Sequence, residues 1–158
     1  RLTLPGGSVQ TETYTVPADI PAELAADPDR LALMPVFDRW AAEYGVPPEL
    51  VKALAWFESG WNNELVSSAG AVGIGQVLPI TGDFVSDVLI GTTLDLNVPE
   101  QNIRVSIRYL RYLLDEAGDV RLAVASYYQG LRATRAHGIY ASSEFYVDGI
   151  LALRERFA

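Results

Sequence analysis

The 158-residue sequence contains no cysteine, and histidine, lysine and methionine occur only once each. The absence of cysteine excludes disulfides, thiolate catalysis and zinc sites with cysteine ligands. Because His137 is the single histidine, neither a Ser-His-Asp triad nor a metal site built from several histidines is expected. We therefore predict no metal ion and no other cofactor.

Long hydrophobic runs are also missing, since no apolar stretch approaches the roughly 18 residues that a membrane-spanning helix needs. The net charge is −8, and eleven of the twelve basic residues are arginines. An acidic chain is poorly suited to binding nucleic acid or anionic membranes. Hydrophobic residues make up 49% of the sequence and charged residues 20%, which is the composition of a folded domain. We predict one domain without a membrane span.

Residues 1–28 differ from the remainder because they mix Gly, Pro, Thr and Ser. They contain one β-like alternation, at residues 12–16, and a predicted helical turn at residues 21–26. We interpret this segment as an extended arm or the remnant of a linker, and residues 29–158 as the folded domain. The chain begins with Arg1 instead of Met, which fits either a processed mature protein or an excerpt of a longer chain.

From residue 31 onward, apolar residues recur at the three- and four-residue spacing of helices. The predicted helices cover residues 33–44, 48–59, 79–90 or 81–90, 99–117, a stretch capped by Asp119 and a last stretch capped by Ser142 or Ser143. The residues predicted to face the core include Phe37, Leu54, Phe57, Phe84, Val88, Ile107, Phe145 and Ile150. No convincing strand follows the arm, so the pattern predicts an all-α domain.

Glu58 stands at the end of the apolar helix predicted for residues 48–59 and shares an edge with its apolar face. A carboxyl group that is partly desolvated by Trp56, Phe57 or Trp61 has a raised pKa. A raised pKa is what a general acid working near neutral pH requires. The alternative from position alone is a structural glutamate that binds a loop N–H or an arginine.

The segment that follows is rich in small and polar residues. Three glycines between residues 70 and 75 allow the backbone to approach another segment or a ligand closely. Gln76 offers both a donor and an acceptor, and Ser67 adds a hydroxyl. Either a tight structural turn or one wall of a groove for a neutral sugar fits this composition.

Three short motifs resemble those of the soluble lytic transglycosylase family, the goose-type lysozyme-like enzymes. The first is Glu58-Ser59-Gly60, an ESG-type acid motif. The second is GAVGIGQ at residues 70–76, which is similar to the family's GxxGLMQ and stands at the interval that the family keeps. The third is ASYYQG at residues 125–130, which resembles the AYN motif, and residues 98–114 resemble the helix before it. The resemblance covers about residues 35–155.

The resemblance implies a lysozyme-like helical domain of the goose type that acts on the glycan strands of peptidoglycan. A lytic transglycosylase cleaves the β-1,4 bond between N-acetylmuramic acid and N-acetylglucosamine and leaves a 1,6-anhydromuramoyl end. In this family one glutamate acts first as the acid and then as the base, and the N-acetyl group of the substrate replaces a second carboxylate. No pattern singles out such a partner among Glu64, Asp83, Asp87 and Asp95.

Matching the motifs residue by residue implies that Glu58 is the catalytic residue. The expected substrate-binding residues are Ser67, Gly75, Gln76, Tyr127 and Tyr128. Tyr127 is expected to point its hydroxyl at the Glu58 carboxyl or at the substrate. The chain differs from the family pattern at two positions, where Gly75 replaces a methionine and Tyr128 replaces an asparagine.

Two other functions stay open. A goose-type lysozyme hydrolase would have the same fold but would admit water, and a non-catalytic wall-binding module would keep the fold without the reaction. Other aromatic residues are either core or groove residues, namely Tyr109, Tyr112, Tyr140 and Trp61. Because the implied partner is peptidoglycan, we expect an exported, monomeric protein of the periplasm, the cell wall or the extracellular space.

Overall fold

Within residues 16–158, which the computed structural model describes, the chain folds into nine α-helices. No strand forms in this range, where two isolated bridges join Val72 to Val66 and to Val77. The predicted all-α fold is therefore confirmed. The helices are α1 (Ala22–Ala25), α2 (Pro28–Leu31), α3 (Met34–Tyr44), α4 (Pro48–Ser59), α5 (Pro79–Asp83), α6 (Pro99–Ala117), α7 (Val120–Gln129), α8 (Leu131–His137) and α9 (Glu144–Arg154). A π-helical segment, Phe84–Ile90, continues α5, and a 3-10 turn, Ala141–Ser143, precedes α9.

Helix α4 lies at the centre of the fold. Its side chains from Leu50 to Ala55 are all buried, and a helix that is buried on all sides must be covered by other elements. Helices α3, α6 and α9 provide that cover. The only lysine of the chain, Lys52, lies in this buried segment, and its ammonium group is 2.8 Å from the carboxylate of Asp38. This ion pair offsets the desolvation of the lysine.

Most of the predicted helix boundaries are confirmed. Helix α3 ends one residue before Gly45, α4 begins at Pro48, and α6 ends one residue before Gly118. Asp119 caps α7 by accepting a hydrogen bond of 2.9 Å from a backbone N–H in its first turn. Ser143 occupies the cap position of α9, but its side chain makes no capping bond.

Three large hydrophobic residues that were predicted to face the core lie at the surface instead. Phe57 is 36% exposed, Val88 69% and Phe145 58%. The ring of Phe57 lies against Gly149 of α9, where a Cβ atom would come within 2.6 Å of it. Val88 belongs to the π-helical segment, whose hydrogen bonds span five residues, so a period of 3.6 residues does not describe its faces.

The chain reverses direction directly after the last turn of α4. Gly60 and Trp61 both adopt left-handed backbone conformations, with φ of 62° and 58°, which glycine accepts readily and tryptophan rarely adopts. The side chain of Trp61 stabilises this turn, because it is 2% exposed and its indole N–H donates to the carbonyl oxygen of Lys52 at 3.0 Å. Trp61 is therefore a core residue that fixes the end of α4.

The segment between α4 and α5, residues 60–78, is called the glycine loop below. It is held in place by Asn102, a fully buried residue of α6. The side-chain oxygen of Asn102 accepts a hydrogen bond of 2.8 Å from the N–H of Gly75. Its side-chain nitrogen donates to the carbonyl oxygens of Val72 and Leu96, both at 3.0 Å. The buried amide thus ties the loop to α6, in addition to the backbone pairs that the loop makes within itself.

At the N-terminal end of the described range, α1 confirms the helical turn that was predicted at residues 21–26. Ile20 and Leu24 are buried in the core, so the chain packs on the domain before residue 29. The β-like alternation lies almost entirely outside the described residues, and the division into residues 1–28 and 29–158 stays a prediction. Among the helices of residues 16–158, none has the length and apolar character needed to cross a membrane.

Candidate active site

Glu58 lies in the last turn of α4, where the helix meets the glycine loop. The adjacent Ser59 joins the two elements, because its hydroxyl donates to the carbonyl oxygen of Ile74 at 2.6 Å. The carboxyl group of Glu58 is largely buried. The position of Glu58 on the edge of an apolar helix face, as the sequence predicts, therefore places its carboxyl group in a poorly hydrated environment.

Burial raises the pKa of Glu58 from its ordinary 4.5 to about 7, and a hydrogen bond from Tyr146 lowers it by a smaller amount. The Tyr146 hydroxyl donates to Oε2 of Glu58 at 2.6 Å. The carboxyl group therefore holds its proton to a much higher pH than an ordinary glutamate does, and a protonated carboxyl is what a general acid needs. After the proton has left, the same hydrogen bond stabilises the carboxylate.

Tyr146 is a site residue that no sequence motif identifies. It lies on α9, 88 residues from Glu58 along the chain, and is 1% exposed. The predicted inner face of α9 included Phe145, but the buried stripe consists of Ser143, Tyr146, Val147 and Ile150. These four residues follow the helical spacing i, i+3, i+4 and i+7. The helical spacing therefore indicates that Tyr146 is buried, provided that Ser143 is taken as the first residue of the buried stripe.

Tyr127 lies close enough to Glu58 to be affected by its charge, but its hydroxyl is bonded elsewhere. The hydroxyl donates to the carbonyl oxygen of Gly75 at 2.7 Å, so Tyr146 makes the contact with the Glu58 carboxyl that was expected of Tyr127. Burial, and then the charge of Glu58, raise the pKa of Tyr127 far above its ordinary range. Tyr127 therefore keeps its proton and acts as a fixed donor to the glycine loop.

Gly75 is buried between α6 and α7. A Cβ atom at this position would overlap the hydroxyl of Ser106 on α6, so the methionine of the family pattern has no space here. Both backbone groups of Gly75 are in use, because Asn102 accepts from its N–H and Tyr127 donates to its carbonyl oxygen. Gly75 thus fixes where the glycine loop lies relative to both helices.

Ser67 and Gln76 are bonded within the glycine loop. The hydroxyl oxygen of Ser67 accepts a hydrogen bond of 3.0 Å from the N–H of Ala71, which leaves its proton for a second partner. The side-chain nitrogen of Gln76 donates to the carbonyl oxygens of Leu65 and Gly73, both at 3.0 Å. These bonds orient the Gln76 amide, whose oxygen remains an acceptor. The binding roles of both residues stay predictions.

A groove with a volume of about 270 Å³ opens along α7 and the end of the glycine loop. Its lining residues are Gln76, Val77, Leu78, Thr81, Tyr109, Ser126, Tyr127, Tyr128, Gln129 and Gly130. They include three tyrosines but no Asp, Glu, Lys, Arg or His, so the groove is neutral. Of the expected binding residues, the groove brings together Gln76, Tyr127 and Tyr128, and the adjacent Tyr109 packs on Tyr127 with 5.4 Å between ring centres.

Tyr128 covers the hydrogen-bond partner of Glu58. Its ring stacks on the ring of Tyr146, with 4.6 Å between the centres and 19° between the planes. Phe145 meets the ring of Tyr128 edge-on at 5.9 Å, and it also packs on Phe57 at 6.1 Å. The two phenylalanines that were predicted to be in the core therefore belong to an aromatic group at the surface beside Glu58. Tyr128 itself is 51% exposed and also lines the groove.

Within residues 16–158, no second carboxylate joins Glu58. The acids considered from the sequence, Glu64, Asp83, Asp87 and Asp95, are all exposed, and none of them lines the groove or affects the pKa of Glu58. The same part of the chain holds no group of three His, Asp or Glu side chains that could bind a metal ion. The groove lining does not include Glu58, which adjoins the groove through Tyr127, whose pKa its charge raises, and through Tyr128, which stacks on Tyr146.

A comparison with models of protein families identifies the family of this chain. The model of the family described as the transglycosylase SLT domain matches residues 35–144. The chain belongs to the transglycosylase SLT domain family. This confirms the resemblance that the three motifs indicated.

Curated relatives of this SLT domain include two lytic transglycosylases. The endo-type membrane-bound lytic murein transglycosylase A of Klebsiella pneumoniae is 35% identical over 85 residues, which are 51% of this chain and 42% of the relative. The soluble lytic murein transglycosylase of Escherichia coli strain K12 is 30% identical over 105 residues, which are 62% of this chain and 16% of the relative. The chain thus spans less than half the length of the relatives it matches.

Solved structures confirm the lysozyme-like fold of the SLT domain. The 70 kDa soluble lytic transglycosylase of Escherichia coli superimposes with a TM-score of 0.72 and 25% identity, over 82% of this chain and 25% of that chain. An inactive mutant of the lytic transglycosylase Slt of Pseudomonas aeruginosa gives a TM-score of 0.70 and 22% identity, over 79% of this chain and 24% of that chain.

The raised pKa of Glu58 predicts a pH-dependent stability. The folded SLT domain retains the proton up to about pH 7, whereas the unfolded chain releases it around its ordinary pKa of 4.5. As the pH rises through this interval, the unfolded state gains more from ionisation than the folded state does. The free energy of unfolding should therefore fall by about 3 kcal/mol on account of this group. The measurement is urea denaturation at about pH 5 and about pH 8.

The free energy of unfolding of Glu58→Gln should not show this fall with rising pH, because the amide does not ionise. Glu64→Gln removes an exposed carboxylate from the glycine loop and serves as the control, which should keep the pH dependence of the unmodified protein. If the unmodified protein and Glu58→Gln lose the same stability over this interval, the pKa of Glu58 is not raised.

Proposed function

We propose that this SLT domain is a peptidoglycan lytic transglycosylase. It cleaves the β-1,4 bond between N-acetylmuramic acid and N-acetylglucosamine and leaves a 1,6-anhydromuramoyl end. The observation that carries the proposal is a single buried carboxyl group, Glu58, with a pKa raised to about 7 beside a neutral groove. Further support comes from relatives whose names describe lytic murein transglycosylases.

In the first step Glu58 is the general acid. Its carboxyl group donates a proton to the glycosidic oxygen, and the bond between that oxygen and C1 of the muramic acid residue breaks. The carbonyl oxygen of the N-acetyl group bonds to C1 and takes up the positive charge, so no nucleophilic carboxylate is needed. The Tyr146 hydroxyl, 2.6 Å from Oε2, stabilises the Glu58 carboxylate that remains.

In the second step Glu58 is the general base. Its carboxylate removes the proton of the 6-hydroxyl group of the muramic acid residue, and the hydroxyl oxygen attacks C1. The N-acetyl oxygen leaves C1, the 1,6-anhydro ring closes, and Glu58 has regained its proton without consuming water. A pKa of about 7 suits both steps, because the same group must donate and accept a proton at one pH.

The groove binds the glycan through neutral groups. Gln76 contributes its amide oxygen, and Tyr127 and Tyr128 contribute aromatic faces to the sugar rings. Ser67 directs its hydroxyl proton to the N-acetyl group or to Glu58. Gly75 contributes the close packing that sets the position of this wall of the groove.

The proposed substrate also implies a location. Peptidoglycan lies outside the cytoplasmic membrane, so the protein works in the periplasm, the cell wall or the extracellular space. The domain acts as a monomer on the glycan strand, and the division into an arm at residues 1–28 and a catalytic domain at residues 29–158 stays a prediction.

The products of digestion test the reaction. Purified cell walls treated with the protein should release muropeptides with 1,6-anhydro ends, which mass spectrometry recognises because they are lighter than reducing ends by one water molecule. Glu58→Gln should lower the rate of release by at least about 1,000-fold, since it removes the acid and the base together. The matched control Glu64→Gln should release the same products at the rate of the unmodified protein.

Three outcomes would contradict the proposal, each in its own way. Muropeptides with reducing ends would identify a hydrolase of the goose-type lysozyme kind, because water would have taken the place of the 6-hydroxyl group. Equal rates for the unmodified protein and Glu58→Gln would remove Glu58 from catalysis, and no release by either would leave a non-catalytic wall-binding module.

The ring of Tyr128 gives a further prediction about the same reaction. Tyr128→Phe keeps the stacking on Tyr146 and should retain the cleavage rate within about twofold. Tyr128→Ala uncovers Tyr146 and hydrates Glu58, which should lower the pKa of Glu58 and reduce kcat about 3- to 10-fold near neutral pH. The measurement is the pH–rate profile of each variant, together with its thermal unfolding. If the alkaline limb of Tyr128→Ala coincides with that of the unmodified protein, Tyr128 does not shield the acid.

A further inference from the structure

Arginine side chains converge on Trp40 and Tyr44, where α3 meets α6. The guanidinium carbons of Arg39 and Arg104 lie 4.6 Å and 4.2 Å from the centre of the Trp40 ring. Arg104 also donates from Nε to the Tyr44 hydroxyl at 2.9 Å, and the guanidinium of Arg108 lies 5.9 Å from the Tyr44 ring. Stacking on a ring holds a guanidinium by its face and leaves N–H groups along its edge for other acceptors. We call these five residues the arginine–aromatic cluster.

Within residues 16–158, the three arginines of this cluster have no carboxylate partner. Five other arginines in the same range each lie within 3.7 Å of an Asp or Glu oxygen, namely Arg30, Arg111, Arg121, Arg135 and Arg154. In addition, Nη1 of Arg108 is buried and has no hydrogen-bond acceptor in the described part of the chain. A buried polar donor that is left unpaired destabilises the fold, and more so when it is charged.

A pocket with a volume of about 570 Å³ adjoins the cluster. Its apolar lining consists of Ala32, Leu33, Pro35 and Val36, and the cluster residues Arg39 and Trp40 complete that side. Glu100 is the one acidic residue of the lining, and it forms no ion pair with a described residue. The pocket therefore offers apolar surface beside the exposed guanidinium group of Arg39, which an anion can reach.

The cluster is separate from the groove. Asn102 and Ser106 on α6 contact the glycine loop. Arg104 follows Asn102 by two residues, which is about 200° around an α-helix, and Arg108 lies on the same face as Arg104. The arginines therefore point away from the loop side of α6, and a ligand bound to them leaves the groove accessible.

We propose that the arginine–aromatic cluster and its pocket form a second binding site, which holds the carboxylate-bearing peptides attached to murein glycan strands. The site rests on the proposed function, because it assumes that murein is the polymer the domain acts on. A planar carboxylate fits the donor fork of a guanidinium group, and the aliphatic parts of a peptide fit the apolar lining. The net charge of the chain is −8, so most of the surface repels an anionic wall. The arginines of the cluster attract the anionic wall and hold the domain beside its substrate.

Binding to purified murein sacculi tests this site, measured by co-sedimentation at low ionic strength in the Glu58→Gln background. Arg39→Ala should weaken binding, and Arg39→Ala/Arg104→Ala should weaken it by about tenfold or more. Arg132→Ala is the matched control, because Arg132 is an exposed arginine on α8 that also lacks a carboxylate partner among the described residues. Arg132→Ala should bind the sacculi as tightly as the Glu58→Gln parent does. Glu100→Gln removes the acidic residue of the pocket and should tighten binding.

Chemically treated walls distinguish peptide carboxylates from phosphate polymers. Sacculi whose carboxyl groups have been converted to amides should lose the binding that depends on Arg39. Sacculi stripped of phosphate polymers by hydrofluoric acid should keep it. Arg39 is exposed, and its side chain contacts the Trp40 ring, so Arg39→Ala should melt at the temperature of its parent and provides the test even if the double variant unfolds.

Equal binding by Arg39→Ala and Arg132→Ala would overturn the proposal. Binding that is lost only when phosphate is removed would overturn it as well, because the ligand would then be a phosphate. These results are read without turnover, so a failure of the proposed cleavage reaction would not be mistaken for a failure of this site.

Discussion

The burial of one carboxyl group is the constraint on which the rest of the site depends. Water would otherwise keep Glu58 ionised at neutral pH, and burial alone would make the carboxylate too unstable for the base role that we propose for it. The hydrogen bond of 2.6 Å from Tyr146 offsets part of the effect of burial, because it stabilises the carboxylate while burial favours the protonated acid. The fold maintains this balance by packing α9 on α4 and by fixing the end of α4 with the buried Trp61.

The glycine loop forms one wall of the groove beside that carboxyl group, and its place depends on bonds from two helices as well as on its own backbone pairs. Asn102 on α6 makes two hydrogen bonds to the loop, and Tyr127 on α7 makes one. Gly75 lies where these two helices come together, and Ser106 fills the space that a side chain would need. The difference from the family pattern at residue 75 is therefore matched by the neighbouring helix, so the loop keeps its place without a methionine.

The structural features that could be predicted from the sequence are those that depend on residues close together in the chain. The ends of α3, α4 and α6 and the cap of α7 follow from glycine, proline and aspartate at fixed offsets. The partly buried Glu58 followed from its place on an apolar helix. Tyr146 was missed because its contact joins residues 88 positions apart, and Phe57 was misplaced because a glycine on α9 makes room for its ring at the surface. Helix α8 was not predicted, because its residues have no apolar period of their own. Contacts between distant elements leave no local pattern, whereas motif spacing and helix caps do.

A titration of the Glu58 carboxyl group itself tests whether that group still holds a proton near neutral pH. Carbon-13 NMR of protein labelled in its glutamate side chains reports the ionisation of each carboxyl, and the Glu58→Gln spectrum identifies the signal of Glu58. The structure predicts a midpoint at about 7. A midpoint near the ordinary 4.5 would contradict it, since a carboxyl that is fully ionised at neutral pH has no proton to donate to the glycosidic oxygen.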